Sequence, residues 1–192
     1  MLKSRFVTAA LFAIASYLPQ ASANWQVDPT NSDVQFVSIK KNTIAETHHF
    51  TQFAGALSSS GELQFVIDLA SAETLIPIRN ERLQKMLFET SVYPKATLTA
   101  SLGEQLKGLK EGPNTVNVEA TLALHGKSQG LTLGLNVFNL GNDLFVTNRL
   151  PIVINAKDFA LESGIEALRQ VAGLDSIAHA VPVTISLHFT AK

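Results

Sequence analysis

The chain has 192 residues, 46% hydrophobic and 16% charged, with 15 Lys and Arg against 16 Asp and Glu and no Cys. The missing cysteine excludes disulfide staples, thiol catalysis and Cys-ligated zinc. The near-even charge gives no reason to expect nucleic acid as a partner or a polybasic hold on anionic membranes.

Residues 1–23 read as a cleaved export signal. Lys3 and Arg5 form a basic start, Phe6 to Leu18 is an apolar run, and Ala21-Ser22-Ala23 is an A-x-A cleavage site. The apolar run falls short of the roughly 20 residues a bilayer span needs, so stable membrane insertion is not expected. No cysteine follows the site to carry a lipid anchor. Removing 23 residues leaves 169, the size of one domain spanning 24–192, and removing Lys3 and Arg5 leaves a net charge of −3.

Beyond the signal the pattern alternates with a period of two, the mark of strands with one buried face. Trp25 to Asp28 is a short strand stopped by Pro29, and Thr30 to Asp33 a turn. Val34 to Lys41 is a strand with Val34 and Phe36 on one face; Ile44 to Phe50 fits a helical turn or an extended crossing equally. Phe53 to Leu57 and Glu62 to Leu69 follow, the second placing Leu63, Phe65, Ile67 and Leu69 on one side. Asn80 to Phe88 predicts a short helix with Asn80 as its cap and Leu83, Met86 and Leu87 as its stripe. Tyr93-Pro94 ends it, and Ala96, Leu98, Ala100 and Leu102 resume the alternation.

Lys107 to Asn114 reads as a polar hairpin tip. Strands over 115–125 and 131–140 are joined by a turn at His125 to Gly130. Leu144 to Thr147 and Ile152 to Ala156 form one strand bent or exposed at Pro151. Ser163-Gly164-Ile165-Glu166 is a capping box opening a helix through Ala172, stopped by Gly173. Val181 to Phe189 closes the chain with the clearest alternation. About eight strands at hairpin spacing with two short helices make an antiparallel all-β domain. Sandwich and closed barrel both satisfy the pattern.

Thr74, Arg79-Asn80-x-x-Leu83, Phe88 and Tyr93-Pro94 before an alternating strand resemble the YceI-like family. The similarity extends to Trp25 to Pro29, Val34 to Val37, Phe50 to Gly55, Leu124 to Ser128 and Ile154 to Phe159. The family usually has Asp where this chain has Asn80, and commonly Gly near His48. The resemblance implies a periplasmic, lipocalin-like barrel that binds a polyisoprenoid, without catalysis and without a cofactor other than that lipid. A homodimer is left open.

Periodicity alone leaves the inward face as ordinary core or as the lining of a channel, since long and small side chains alternate across it. On the resemblance, the expected lining is Phe36, Phe53, Leu63, Phe65, Ile67, Leu98, Ala100, Leu122, Leu133 and Ile185. Arg79 and Arg82 are the expected head-group contacts, pairing with a phosphate or a quinone oxygen; the plainer reading makes them solvated charges on a short helix. A buried CH₂ contributes about 0.8 kcal/mol, so a 15-carbon tail gains about 12 kcal/mol against an association cost of about 4–15 kcal/mol. Long isoprenoid or acyl chains are therefore favoured, and quinones fit within that class.

Other chemistries find little support. His48 and His49 point to opposite faces of a strand, and His125, His179 and His188 are far from them in sequence, with no metal-ligand spacing. Ser71, Ser91 and Ser176 are turn serines without a G-x-S-x-G elbow. Asp68 and Glu73 make no obvious acid–base pair, and the glycines do not form a phosphate loop. An exported interaction module remains the third class, with no conspicuous apolar outer patch to support it.

Overall fold

The computed structural model describes residues 23–192. The predicted export signal lies outside them, except that Ala23 opens the first strand. The strands are β1 (Ala23–Val27), β2 (Asp33–Lys40), β3 (Ile44–Phe50), β4 (Phe53–Ser58), β5 (Glu62–Asp68), β6 (Ala72–Glu73), β7 (Lys95–Ser101), β8 (Gly112–Leu124), β9 (Lys127–Asn139), β10 (Asp143–Asn148), β11 (Ile152–Asn155) and β12 (Ala180–Ala191). The helices are α1 (Pro77–Arg82), α2 (Gly103–Gly108) and α3 (Glu162–Val171).

Pairing runs β1-β4-β5-β7-β8-β9-β10-β12, and β12 pairs back onto β1. That last pairing decides between the two architectures: eight antiparallel strands close on themselves as a barrel, with no free sheet edge along the ring. The long strand β12 serves both ends of the molecule. Its C-terminal half pairs with β10 and β1, while Ala180–Ser186 pairs with β11 on one side and β2 on the other. Proline sets both breaks. Pro29 opens a single 3₁₀ turn between β1 and β2, capped by the Asp28 carboxylate, and Pro151 lies between β10 and β11. The ambiguous segment Ile44–Phe50 is a strand, paired with β2 from Ile44 to His49 and with β6 at His49 and Phe50.

The β8–β9 hairpin is the backbone of the wall, with thirteen register pairs from Gly112↔Asn139 to Leu124↔Lys127. Its turn is only His125 and Gly126, both at positive φ (50° and 72°), the geometry that matches the twist of flanking strands. The predicted six-residue turn is thus too long: Lys127 to Gly130 already belong to β9.

Both predicted helices exist, with different starts. α1 begins at Pro77, where the missing N–H costs nothing in a first turn, and continues into a wider turn over Leu83–Leu87. Asn80 is therefore inside the helix and does not cap it; its side chain turns back to Thr74 instead. α3 starts at Glu162 without a side-chain cap, and Glu166 bonds forward to Arg169 and Gln170, so the predicted capping box does not form. Gly164 is needed for close approach: a Cβ there would lie 2.6 Å from the Met86 carbonyl oxygen. The predicted polar tip near Lys107 conceals α2, whose Leu106, with Leu102 and Leu109 on either side of the helix, packs on the barrel core.

A second apolar cluster, around Leu69, Phe88, Phe159, Leu161 and Ile165, binds α1 and α3 to the wall. The helices therefore cover one end of the barrel, and α2 covers the end where the β4–β5 turn lies, held by the Leu102 N–H donating to the Gly61 carbonyl (2.7 Å).

Candidate functional site

The inward side chains of the barrel do not meet. They leave a cavity of about 560 Å³ whose wall is overwhelmingly aliphatic and aromatic. A wall of this kind gives an apolar guest surface to bury at about 25 cal/mol per Å².

Of the residues expected on the lining, Phe36, Leu63, Phe65, Ile67, Leu98, Leu122, Leu133 and Ile185 face the cavity. Phe53 and Ala100 share the inward face but do not reach it. The Phe53 ring leans on Phe65 with centroids 5.8 Å apart. The Ala100 methyl is buried beside its cross-strand neighbours Leu63 and Ala120, too short to project past Leu63.

One side of the cavity is polar. Ser38, Lys40, Glu46, His48, Thr74, Arg79 and Arg82 all border it. They come from the far half of the β2–β3 hairpin and from α1 with the loop before it. On β2, Val34, Phe36, Ser38 and Lys40 face inward in turn; on β3, Glu46, His48 and Phe50 do. The alternation predicted for β2 thus continues into residues whose polarity hides it. On β3 the same mixture makes the strand unreadable by hydrophobic period alone.

Glu46 is the hub. Its carboxylate accepts from Lys40 Nζ at 2.8 Å and from Arg79 Nη1 at 2.9 Å. Lys40 above all, with Arg79 adding to it, holds the Glu46 carboxyl below its ordinary range against the opposing effect of burial. Arg79 also donates from Nη2 to the Thr74 carbonyl at 2.7 Å. It is therefore a clamp between hairpin and helix and not a solvated charge, with its Nε at the cavity wall left without a partner among the described residues. Arg82 borders the cavity and has no ion pair or side-chain hydrogen bond among the described residues, so its whole guanidinium is open to an incoming acceptor.

His48 is 3% exposed, against Phe36 at 5.2 Å between ring centroids, and its Nε2 lies 2.9 Å from Ser38 Oγ. Burial first, and the nearby Arg79 charge second, push its pKa below the usual 6.5 and keep the ring neutral at physiological pH. His49, its neighbour, points to the other face. Among the described residues no group of three or more His, Asp or Glu is placed to hold a metal ion.

The loop joining β6 to α1 is held tightly beside this polar side. The Asn80 amide oxygen accepts from Thr74 N (3.0 Å) and Thr74 Oγ1 (2.5 Å), and its amide nitrogen donates to Glu73 at 3.0 Å. That last bond explains why Asn suits this chain: an Asp here would set a second carboxylate against Glu73. Glu73 also accepts the Leu75 N–H. Between these anchors Leu75 is fixed at φ +61° with its side chain 85% exposed.

The sequence matches the YceI-like domain over residues 25–189. No curated protein sequence matches the chain. Among solved structures, a polyisoprenoid-binding domain from Saccharophagus degradans implicated in plant cell wall breakdown is 41% identical, with a TM-score of 0.85 over 89% of this chain and 100% of its own. Burkholderia cenocepacia BcnA is 22% identical, with a TM-score of 0.66 over 84% of this chain and 98% of its own. The Campylobacter jejuni YceI protein is 16% identical, with a TM-score of 0.57 over 76% and 84% of the two chains. The last two show likeness of fold alone, but the span of the domain match and the first structure together establish kinship: this chain is a member of the YceI-like family.

Proposed function

We propose that this protein is an exported, periplasmic carrier that holds one long isoprenoid-type or fatty acyl amphiphile inside its barrel, with quinones and polyprenyl lipids the favoured guests. The observation that carries the reading is the apolar cavity of about 560 Å³ at the centre of a closed wall. It falls within the range of about 300–1,000 Å³ usual for small-molecule sites. The 41% identical relative, described as a polyisoprenoid-binding domain, supports the same class of ligand. A long tail is nearly insoluble in water, so a soluble container has a physical use.

The tail lies along the wall of β5, β7, β8 and β9, where Phe65, Leu98, Leu122 and Leu133 remove it from water. The head group lies at the polar side, within reach of Arg82 and of the His48–Ser38 pair. The role is binding and release, with no covalent step.

Titration of the purified, delipidated protein with a fluorescent prenyl probe tests this. The expected result is saturable one-to-one binding, displaced by long isoprenoids and accompanied by a rise in Tm, since a ligand that binds only the folded state stabilises it. Absence of uptake, with Tm unchanged by any long-chain lipid, overturns the reading.

A further inference from the structure

We propose that the rim around the polar mouth is a docking surface for an anionic lipid bilayer, from which cargo passes directly into the cavity; this rests on the lipid-binding reading above. The first support is Leu75. A leucine in the left-handed region is disfavoured because its Cβ crowds the following carbonyl oxygen. Here three side chains hold it there: Glu73 accepts the Leu75 N–H, Asn80 accepts the Thr74 N–H, and Arg79 donates to the Thr74 carbonyl. The outcome of that wiring is a large apolar side chain 85% in water beside the cavity. Backbone strain held by its surroundings is characteristic of ligand clamps and other functional sites.

Leu75 is not isolated. Ile76 and Ile78, next to it, are exposed while also bordering the cavity. Ile44, the cross-strand partner of Lys40, is exposed at the hairpin end, and Val171 is exposed at the end of α3 beside cavity-lining Ala172. The hairpin tip and the segment after α3 are tied together by the Lys41 N–H donating to the Ser176 carbonyl (3.1 Å). Apolar side chains therefore project from the structural elements that frame the mouth.

Charge selects the occupant. Lys40, Arg79 and Arg82 border the mouth with Glu46, Lys41 is exposed beside them, and Glu73 holds the Leu75 N–H; with the flanking Lys85, Glu81 and Asp175 the rim carries five positive and four negative groups, an excess of one positive charge. Glu81 and Asp175 are exposed on flanking segments, and Glu81 is paired with Lys85. The processed chain carries −3 overall, so the small positive excess of the rim runs against the charge of the rest of the chain. Insertion of apolar side chains together with attraction to anionic head groups is how a peripheral protein binds a bilayer interface.

The test is flotation of the full processed protein with vesicles of phosphatidylglycerol and phosphatidylcholine, alongside probe binding without vesicles. Wild type is expected to float with anionic vesicles and to dissociate in high salt. Leu75→Asp and Ile44→Asp, neither on the cavity wall, are each expected to weaken vesicle binding at least tenfold while probe affinity stays within twofold. Leu75→Gly relieves the backbone and removes the anchor, so it should float as poorly while melting no lower than wild type. Vesicle binding that is absent, or unchanged in all three variants, overturns the docking proposal. So does a dimer of wild type that Leu75→Asp turns into a monomer, since the occupant is then a second copy. Failure of probe binding alone strikes the carrier reading, and flotation still decides the surface.

Discussion

Two hairpins of the same barrel use the same alternation for different ends. In β8–β9 every residue reaching the cavity is aliphatic, from Val116 to Leu124 on one strand and from Leu131 to Val137 on the other. In β2–β3 the inward column starts with Val34 and Phe36 and passes to Ser38, Lys40, Glu46 and His48 as it nears the hairpin tip. The first hairpin is a wall. The second is a graded surface, apolar toward the core and polar at the mouth, which gives an amphiphile a defined orientation. Position on the pleat decides what faces inward, and chemistry then decides what that face does.

The largest expected effect comes from breaking the wall. Leu133 is buried, and Leu133→Asp would put a carboxylate among aliphatic side chains with no partner. The expected loss is about 4 kcal/mol or more, read as a fall in the denaturation midpoint. The matching change on the graded hairpin, Ser38→Asp, sits near Lys40 and His48, and its expected cost is below about 1 kcal/mol. Equal losses at the two sites would erase the distinction between them.

Next in size is filling the space. Leu133→Trp has a cavity to grow into, so it is expected to fold with little loss while probe affinity falls at least about a hundredfold, that is about 2.7 kcal/mol. Unchanged affinity would place the ligand elsewhere. Smaller again is the head-group end. Arg82→Ala is expected to leave Tm unchanged and to weaken an anionic long-chain lipid about tenfold, leaving a neutral one within twofold. Arg79→Ala, by contrast, is expected to lower Tm, because Arg79 ties Glu46 to the Thr74 carbonyl.

The smallest effect is with pH. The folded pKa of His48 lies below 6.5, so the unfolded chain binds the extra proton between the two values and stability rises with pH there. This contribution is present in full above about pH 6.5 and lost as pH falls through the depressed folded value. His48→Gln is expected to flatten that part of the stability–pH curve, with the contribution of Glu46, lost at lower pH as its own carboxyl protonates, left in place.

Much of the barrel was legible because the inward face of most strands, the β2–β3 hairpin excepted, is apolar. The alternation of Leu63, Phe65, Ile67 and Leu69, and of Val116 to Leu124, needed no structure to place it. Alternation alone did not give closure, since the β1–β12 pairing joins residues at opposite ends of the chain; the barrel came from the family resemblance. The face rule gives direction but not reach: eight of the ten side chains expected on the lining border the cavity, while Phe53 and Ala100 point inward and still miss it. Local signals misled at Asn80 and at Ser163 to Glu166, where polar side chains that read as caps are taken by Thr74, Glu73, Arg169 and Gln170. The mouth was hidden for a third reason. Lys40, Glu46 and His48 come together through β2–β3 pairing and Arg79 arrives through a helix, so no stretch of sequence shows the cluster. Leu102, Leu106 and Leu109 did carry the helical spacing of α2, masked by the glycines around them.

Whether the barrel holds a lipid is decided by non-denaturing mass spectrometry of the protein as purified, followed by organic extraction. The expected spectrum shows one equivalent of a long-chain lipid, lost on extraction and restored by adding a polyprenyl lipid or quinone. A protein of bare polypeptide mass that takes up neither would contradict the carrier reading.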